Sequence, residues 1–425
     1  MILLITVLKI NPFIAFIIVS IATGFVLGIP VEKIAGSVQK GIGDMLGSIL
    51  IIFCAGAMIG KLVAESGAAQ VISDTMMKLF GKKYLQWGLM CTGFIIGIPL
   101  FYNVGFVLTI PIIFALVYKY KLPAVYIGLP MLAALSVAHG FLPPHPSPAA
   151  LVVIFHANMG KTLLFGLAIA IPAIIIAGPL FSQTLKNIKP VGEMTKFTVK
   201  TLPSKLPGVF NSFFSALLPV FLLAGTSLLS FVIPKDSGFL MITKFLSDPS
   251  IIMIVALIVA TFSLGMRMQK TLRQIMGVYE DGIRDIFMIL LIIGSSGALK
   301  QVLIDSGASN VIAVYFQHLQ MQPLILAWLI AATIRVCLGS ATIAGLTAAG
   351  IVAPMMGSFN VDPCLMVLSI GAGSLMFSHV NDPGFWMFKE YFNISMKDTF
   401  RSWSIMETIV SVVGLAGVLI INCFN

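Results

Sequence analysis

The sequence predicts an all-α integral membrane protein of two inverted structural repeats, with re-entrant hairpins and broken transmembrane helices. Three observations predict it: apolar runs recur from end to end, the chain matches itself at an offset of 241 residues, and Pro, Gly and polar clusters interrupt the apolar runs in pairs.

The composition is 58% hydrophobic and 10% charged, with a mean hydropathy of +1.04; a soluble domain is about 25% charged. Such a chain cannot keep a water-facing surface. Apolar stretches recur at 14–29, 48–63, 163–176, 251–264 and 287–293, and several extend to the roughly 20 residues a helix needs to cross about 30 Å of hydrocarbon. A barrel would show short alternating strands instead, and helices satisfy their own backbone groups in lipid. The net charge of +10 comes from Lys and Arg in short loops between apolar runs, which speaks for membrane orientation and against nucleic acid. Lys186, Lys189, Lys196, Lys200 and Lys205 against Glu193 alone mark residues 183–208 as cytoplasmic. The five cysteines have no CxxC spacing and read as reduced packing residues. Residues 1–9 run into the first span without a small-residue cleavage site, as in a retained anchor.

At the offset of 241, Gly36, Gly41, Ile42 and Asp44 meet Gly277, Gly282, Ile283 and Asp285, and Gly56-Ala57 meets Gly297-Ala298. One deletion later, Glu65-Ser66-Gly67-Ala68 meets Asp305-Ser306-Gly307-Ala308, His139 meets His379 and Pro143 meets Pro383. Polar, Gly and Pro matches in one order indicate duplication, a common transporter architecture. Lys78, Lys82 and Lys83 follow the first Ser-Gly motif, whereas no Lys or Arg occurs between Gln301 and Ile334, so equivalent loops are expected on opposite sides. The first repeat, 1–182, is expected to hold spans near 11–29 and 44–63, a region returning at Lys119 and Lys121, and spans at 124–155 and 162–182. A cytoplasmic linker and one extra connecting span near 209–233 occupy 183–249. The second repeat, 250–425, follows with spans at 250–266 and 286–303, a returning region at 324–356, and spans at 363–388 and 402–422. Segment 30–43 is expected as an outside loop, although it carries Lys33 and Lys40.

Each returning region is interrupted, at Gly97–Gly105 and at Arg335–Thr342, and so is each following span, at Ser136–Pro148 and at Ser378–Gly384. Four prolines within the six residues 143–148 cannot continue a helix. Kinked ordinary helices, or a loop at the membrane surface, are the plainer structural readings. Non-helical backbone at membrane depth persists only when buried in protein or lining a wet cavity, so paired breaks mark a solute site.

Ionisable residues inside a membrane are functional candidates by default. Asp382, at a break and beside His379 and Asn381, is the strongest candidate for proton coupling, against a helix-capping role. His139 and His379 suit proton transfer or hydrogen bonding to hydroxyls, against plain packing. Arg335 suits a bidentate contact with a substrate carboxylate or, equally, a buried pairing with Asp382. Tyr102, Asn103, Ser340, Thr342 and Asn381 supply neutral hydrogen-bonding groups. Glu65 and Asp305 read as helix-end residues. His145 and His139 lack the Cys or carboxylate partners of a metal site, and no metal or other cofactor is expected. The absence of GxxxxGK[ST] disfavours ATP-driven work.

Four of these stretches, Phe101 to Leu108, His139 to Pro146, Gly339 to Ala344 and Phe377 to Trp386, resemble the gluconate permease family of the ion transporter superfamily, and the resemblance covers nearly the whole chain. It implies an inner-membrane symporter taking up gluconate or a related hydroxylated carboxylate with protons, in a scaffold-and-transport architecture that is commonly a homodimer. Members often have an acidic residue where this chain has Asn103, which leaves that position open between proton coupling and substrate contact. Sodium coupling through carbonyls at Gly339–Thr342, D-amino acid transport and, from another class, an intramembrane enzyme or a receptor are the alternatives.

Overall fold

The computed structural model describes residues 2–100, 102–191, 205–232, 245–308, 321–380 and 382–424, and among them the regular structure is helical throughout. In chain order the main helices are α1 (Pro12–Val26), α2 (Val31–Glu65), α3 (Ala68–Phe80), α4 (Leu85–Gly97), α5 (Tyr102–Tyr120), α6 (Ala124–Phe141), α7 (Pro146–Ile154) and α8 (Met159–Ile175). After α9 (Val209–Val232) come α10 (Pro249–Ala260), α11 (Leu272–Asp305), α12 (Pro323–Leu338), α13 (Ala341–Val352), α14 (Pro363–Gly373), α15 (Pro383–Phe392) and α16 (Met396–Phe424), the last with a π-helical turn at Phe400–Ser404. Seven helical runs among the described residues are long and apolar enough to cross a membrane. Residues 192–204, with Glu193, Lys196 and Lys200 of the basic loop, lie outside the described residues.

The duplication is visible in local detail. Helices α2 and α11 start 241 residues apart, at Val31 and Leu272, and both end in a serine and a left-handed glycine, Gly67 at φ 80° and Gly307 at φ 70°. Glycine adopts that conformation without a Cβ penalty. Ser66 Oγ accepts from the Ala68 amide at 3.3 Å and Ser306 Oγ from the Ala308 amide at 3.4 Å. Glu65 and Asp305 close the two helices, the helix-end positions expected of them.

The two long helices cross antiparallel. Gly41 lies against Gly297, Leu46 against Gly294 and Ala57 against Gly282, so numbers rise along one helix as they fall along the other. A Cβ on Gly41 would stand 2.3 Å from the Gly297 carbonyl oxygen, which only bare glycine backbone permits. At the 241 offset Gly41 corresponds to Gly282 and Gly297 to Gly56, so the two ends of the crossing repeat each other.

Segment 30–43 is not the loop the sequence suggested. Pro30 caps α2, and Ile34, Ser37, Val38, Gly41 and Met45 form a buried stripe at helical spacing while Lys33 and Lys40 stay exposed. Likewise α11 begins at Leu272 rather than near 286, behind a capping box in which Thr271 and Gln274 bond reciprocally. In both cases half-polar helix was read as loop because its apolar face is only one stripe wide.

Helices α6 and α14 are buried nearly all round, as apolar helices without a polar face must be. They meet where a Cβ on Gly371 would lie 2.6 Å from the Gly140 carbonyl, which brings the C-terminal ends of both side by side. The outer helices instead expose large apolar side chains, such as Phe221 at 57% and Phe262 at 58%, the surface a lipid-facing shell requires.

Candidate functional site

The interruptions expected from the sequence are breaks between short helices. Gly97 and Tyr102 bound the first and Gly339-Ser340 the second; Gly339 is left-handed at φ 79°, and Ser340 Oγ accepts from the Ile343 amide to start α13. The 13 residues of α4 and the 12 of α13 are about 20 Å long at 1.5 Å per residue. That is too short to cross about 30 Å of hydrocarbon. The third break lies between α6 and α7 at Leu142–His145, and the fourth between α14 and α15. In each repeat a histidine ties one break to the other. His145 Nε2 is 2.7 Å from the Gly97 carbonyl, and His379 Nε2 is 2.8 Å from the Val336 carbonyl.

A cavity of about 220 Å³, many times the space one water needs, opens among these breaks. Tyr102 enters it from the start of α5, Ser136 and His139 from α6, Arg335 from the end of α12, and Ser340 and Thr342 from the start of α13. Asp382 and Gly384 complete it from the start of α15, and Trp403 and Glu407 from α16.

Its charged centre is the ion pair of Arg335 Nη2 with Asp382 Oδ2. Ser378 Oγ donates to the same Oδ2, while Oδ1 accepts from the Gly384 amide at 2.8 Å and so caps α15. Ser378 is itself held by Trp403, whose Nε1 donates to its hydroxyl at 2.8 Å. A buried pair is tolerated when further hydrogen bonds satisfy the remaining valences, and the carboxylate meets that condition. The guanidinium does not: Arg335 Nε and Nη1 are buried with no partner among the described residues. The Tyr102 hydroxyl, His139 Nδ1 and Glu407 Oε2 are buried and unpartnered as well. Buried polar atoms are nearly always satisfied, so five without a partner among the described residues make this cavity the polar centre of the bundle.

Of the residues singled out from the sequence, Tyr102, His139, Arg335, Ser340, Thr342 and Asp382 converge here. His379 does not line the cavity; its imidazole bonds the end of α12. Asn103 lies in the first turn of α5, its side chain outside the described residues, as is Asn381 altogether. Sequence reasoning did not single out Glu407. A lone carboxylate in the apolar 402–422 run was the available signal. Its Oε1 accepts from Ser136 Oγ at 2.7 Å.

A helical membrane bundle with short helices broken around a buried polar cavity has the architecture of a transporter. The chain matches the GntP family permease model over residues 1–424 and belongs to that family, whose members here are multi-pass proteins of the bacterial inner membrane. It is 46% identical to a high-affinity gluconate transporter of Escherichia coli K12 over 97% of this chain and 95% of that one. It is 44% identical to the Gnt-II system L-idonate transporter of the same organism, over 97% and 94%. Identity to a gluconate permease of Bacillus subtilis is 43%, over 98% and 95%. The fold is shared with the YdaH transporter of Alcanivorax borkumensis, at a TM-score of 0.67 and 16% identity over 97% of both chains. MtrF of Neisseria gonorrhoeae, from a class of antimetabolite efflux pumps, also has a TM-score of 0.67, at 13% identity over 99% and 96%.

Proposed function

We propose that the protein takes up gluconate or a closely related hydroxylated carboxylate together with protons, by alternating access around the cavity at the four breaks. The observation that carries this reading is the set of unpartnered polar atoms beside the start of α13: the donors Arg335 Nε and Nη1 for the carboxylate, with the Tyr102 hydroxyl and His139 Nδ1 for hydroxyls. Hydrogen bonds to charged groups contribute about 1.5 to 3 kcal/mol each, and a helix start adds partial positive charge. Ser340 and Thr342 extend the same face toward a polyhydroxylated chain. The relatives named for gluconate and L-idonate supply the substrate class.

The antiparallel crossing of the repeat-related α2 and α11 supports inversion of residues 1–182 against 250–425 across the membrane, with 183–249 as connector. A homodimer, implied by the family resemblance, completes the proposal. The test is counterflow of labelled gluconate in vesicles holding only the purified protein, with unlabelled gluconate, L-idonate and D-serine as competitors. No exchange with any of them would sink the reading.

A further inference from the structure

We propose that Glu407 is the residue that carries the coupled proton, protonated whenever the cavity holds an acid and free to release the proton only when the acid has left. This rests on the proton-coupled reading above. Glu407 is 2% exposed, and its two oxygens differ: Oε1 accepts from Ser136 Oγ, whereas Oε2 is buried and bare. Asp382 has no such free oxygen, because Arg335 and Ser378 hold Oδ2 and the Gly384 amide holds Oδ1. A carboxylate only accepts hydrogen bonds when ionised and gains a donor when protonated. A proton on Oε2 therefore removes a bare buried charge and creates a donor toward the solute.

Charge balance makes the proton a condition of loading. The charged and titratable groups lining the cavity with Glu407 are Arg335, Asp382, Tyr102 and His139. Helices α8 and α14, packed on α16, carry Lys161 and Cys364 near their N-terminal ends, where Lys161 pairs with Asp362 at 2.5 Å and Cys364 Sγ contacts the Asn158 carbonyl at 3.7 Å. With neutral Tyr102 and His139, one cation and two carboxylates leave the empty site at −1. An anionic acid bound beside protonated Glu407 leaves it at −1 again, whereas the acid alone would make it −2 in a poorly screened enclosure. One proton thus accompanies each acid, and a full cycle moves no net charge.

Glu407→Gln keeps the side-chain shape and the Ser136 contact but is permanently neutral. In proteoliposomes, wild-type protein is expected to accumulate labelled gluconate when the outside is acidic; if it does not, the proton-coupled reading fails and this assignment falls with it. With wild type active, Glu407→Gln is expected to retain gluconate exchange and lose accumulation. In weakly buffered alkaline detergent solution, where the empty site has released its proton, wild type is expected to take up about one proton per gluconate bound, and the variant none. A variant that accumulates like wild type overturns the assignment, as does a folded variant that neither binds nor exchanges. Should Glu407→Gln fail to fold, Ser136→Ala decides: loss of a hydroxyl that steadies the ionised form is expected to move the pH profile of uptake to more alkaline values. An unmoved profile overturns the proposal.

Discussion

Arg335 and Asp382, 47 residues apart, join the two breaks of the second repeat through one ion pair, and the first repeat has no counterpart. At the repeat offset of 240 the equivalent positions are Ile95 and Leu142, both apolar. The two halves carry matching sets of breaks, but this ion pair belongs to one of them.

Removing one partner of that pair strands a buried charge, at a cost of about 3 to 5 kcal/mol. Arg335→Gln alone is expected to lower the thermal midpoint of the detergent-purified protein sharply, and Arg335→Gln with Asp382→Asn to recover much of the loss. A double variant no better folded than the single one would deny the coupling.

Arg335→Lys separates pairing from substrate binding. Lys keeps the charge that Asp382 needs but loses the planar fork carrying Nε and Nη1. Binding affinity for gluconate is expected to fall about tenfold or more, since about 1.4 kcal/mol is one decade, with expression unchanged. Unaltered affinity would leave the start of α13 as the anion site.

Tyr102→Phe deletes one unpartnered buried hydroxyl and little else. A neutral hydrogen bond contributes about 0.5 to 1.5 kcal/mol, so affinity for a polyhydroxylated acid is expected to drop roughly two- to tenfold while thermal stability holds or rises. Ligand-free thermal shift and equilibrium binding read the two effects separately.

The glycine crossing gives a packing test with an internal control. Gly41→Ala places a methyl 2.3 Å from the Gly297 carbonyl oxygen, whereas Gly43→Ala meets nothing within 4 Å. Overpacking typically costs about 1 to 3 kcal/mol, so the first variant should lose folded yield and the second should not. Equal yields would mean that the helices do not meet at Gly41.

Opposite membrane faces are expected for equivalent loops. With the native cysteines replaced, single cysteines at Lys82 and Gln322 should react with an impermeant reagent from opposite sides of oriented vesicles. Labelling of both from one side would rule out inversion.

Helix breaks were legible in the sequence because four prolines between Pro143 and Pro148 cannot continue a helix, and because small and polar residues at Gly339-Ser340 interrupt an apolar run. The starts of α2 and α11 were not, since Lys33, Gln39 and Lys40 outweighed a stripe one residue wide that gains meaning only against the partner helix. The site was half legible. Arg335 and Asp382 announced themselves as charges beside breaks, but their pairing depends on where the α12 and α15 ends meet. His139 and His379 match in the repeat, yet one faces the cavity and the other bonds a carbonyl, a difference of side-chain direction that spacing does not encode. Glu407 was hidden by the apolar length of its own helix.

The 35 residues of α2 and the 34 of α11 make rods about 50 Å long at 1.5 Å per residue. A bilayer of about 40 to 45 Å, headgroups included, accommodates such rods only by tilt or by protrusion. Because Gly41 and Gly297 meet backbone to backbone, the two helices face the bilayer as one packed pair. Such a pair has to adapt to bilayer thickness, and the exchange rate is expected to differ between vesicles of short- and long-chain phosphatidylcholine.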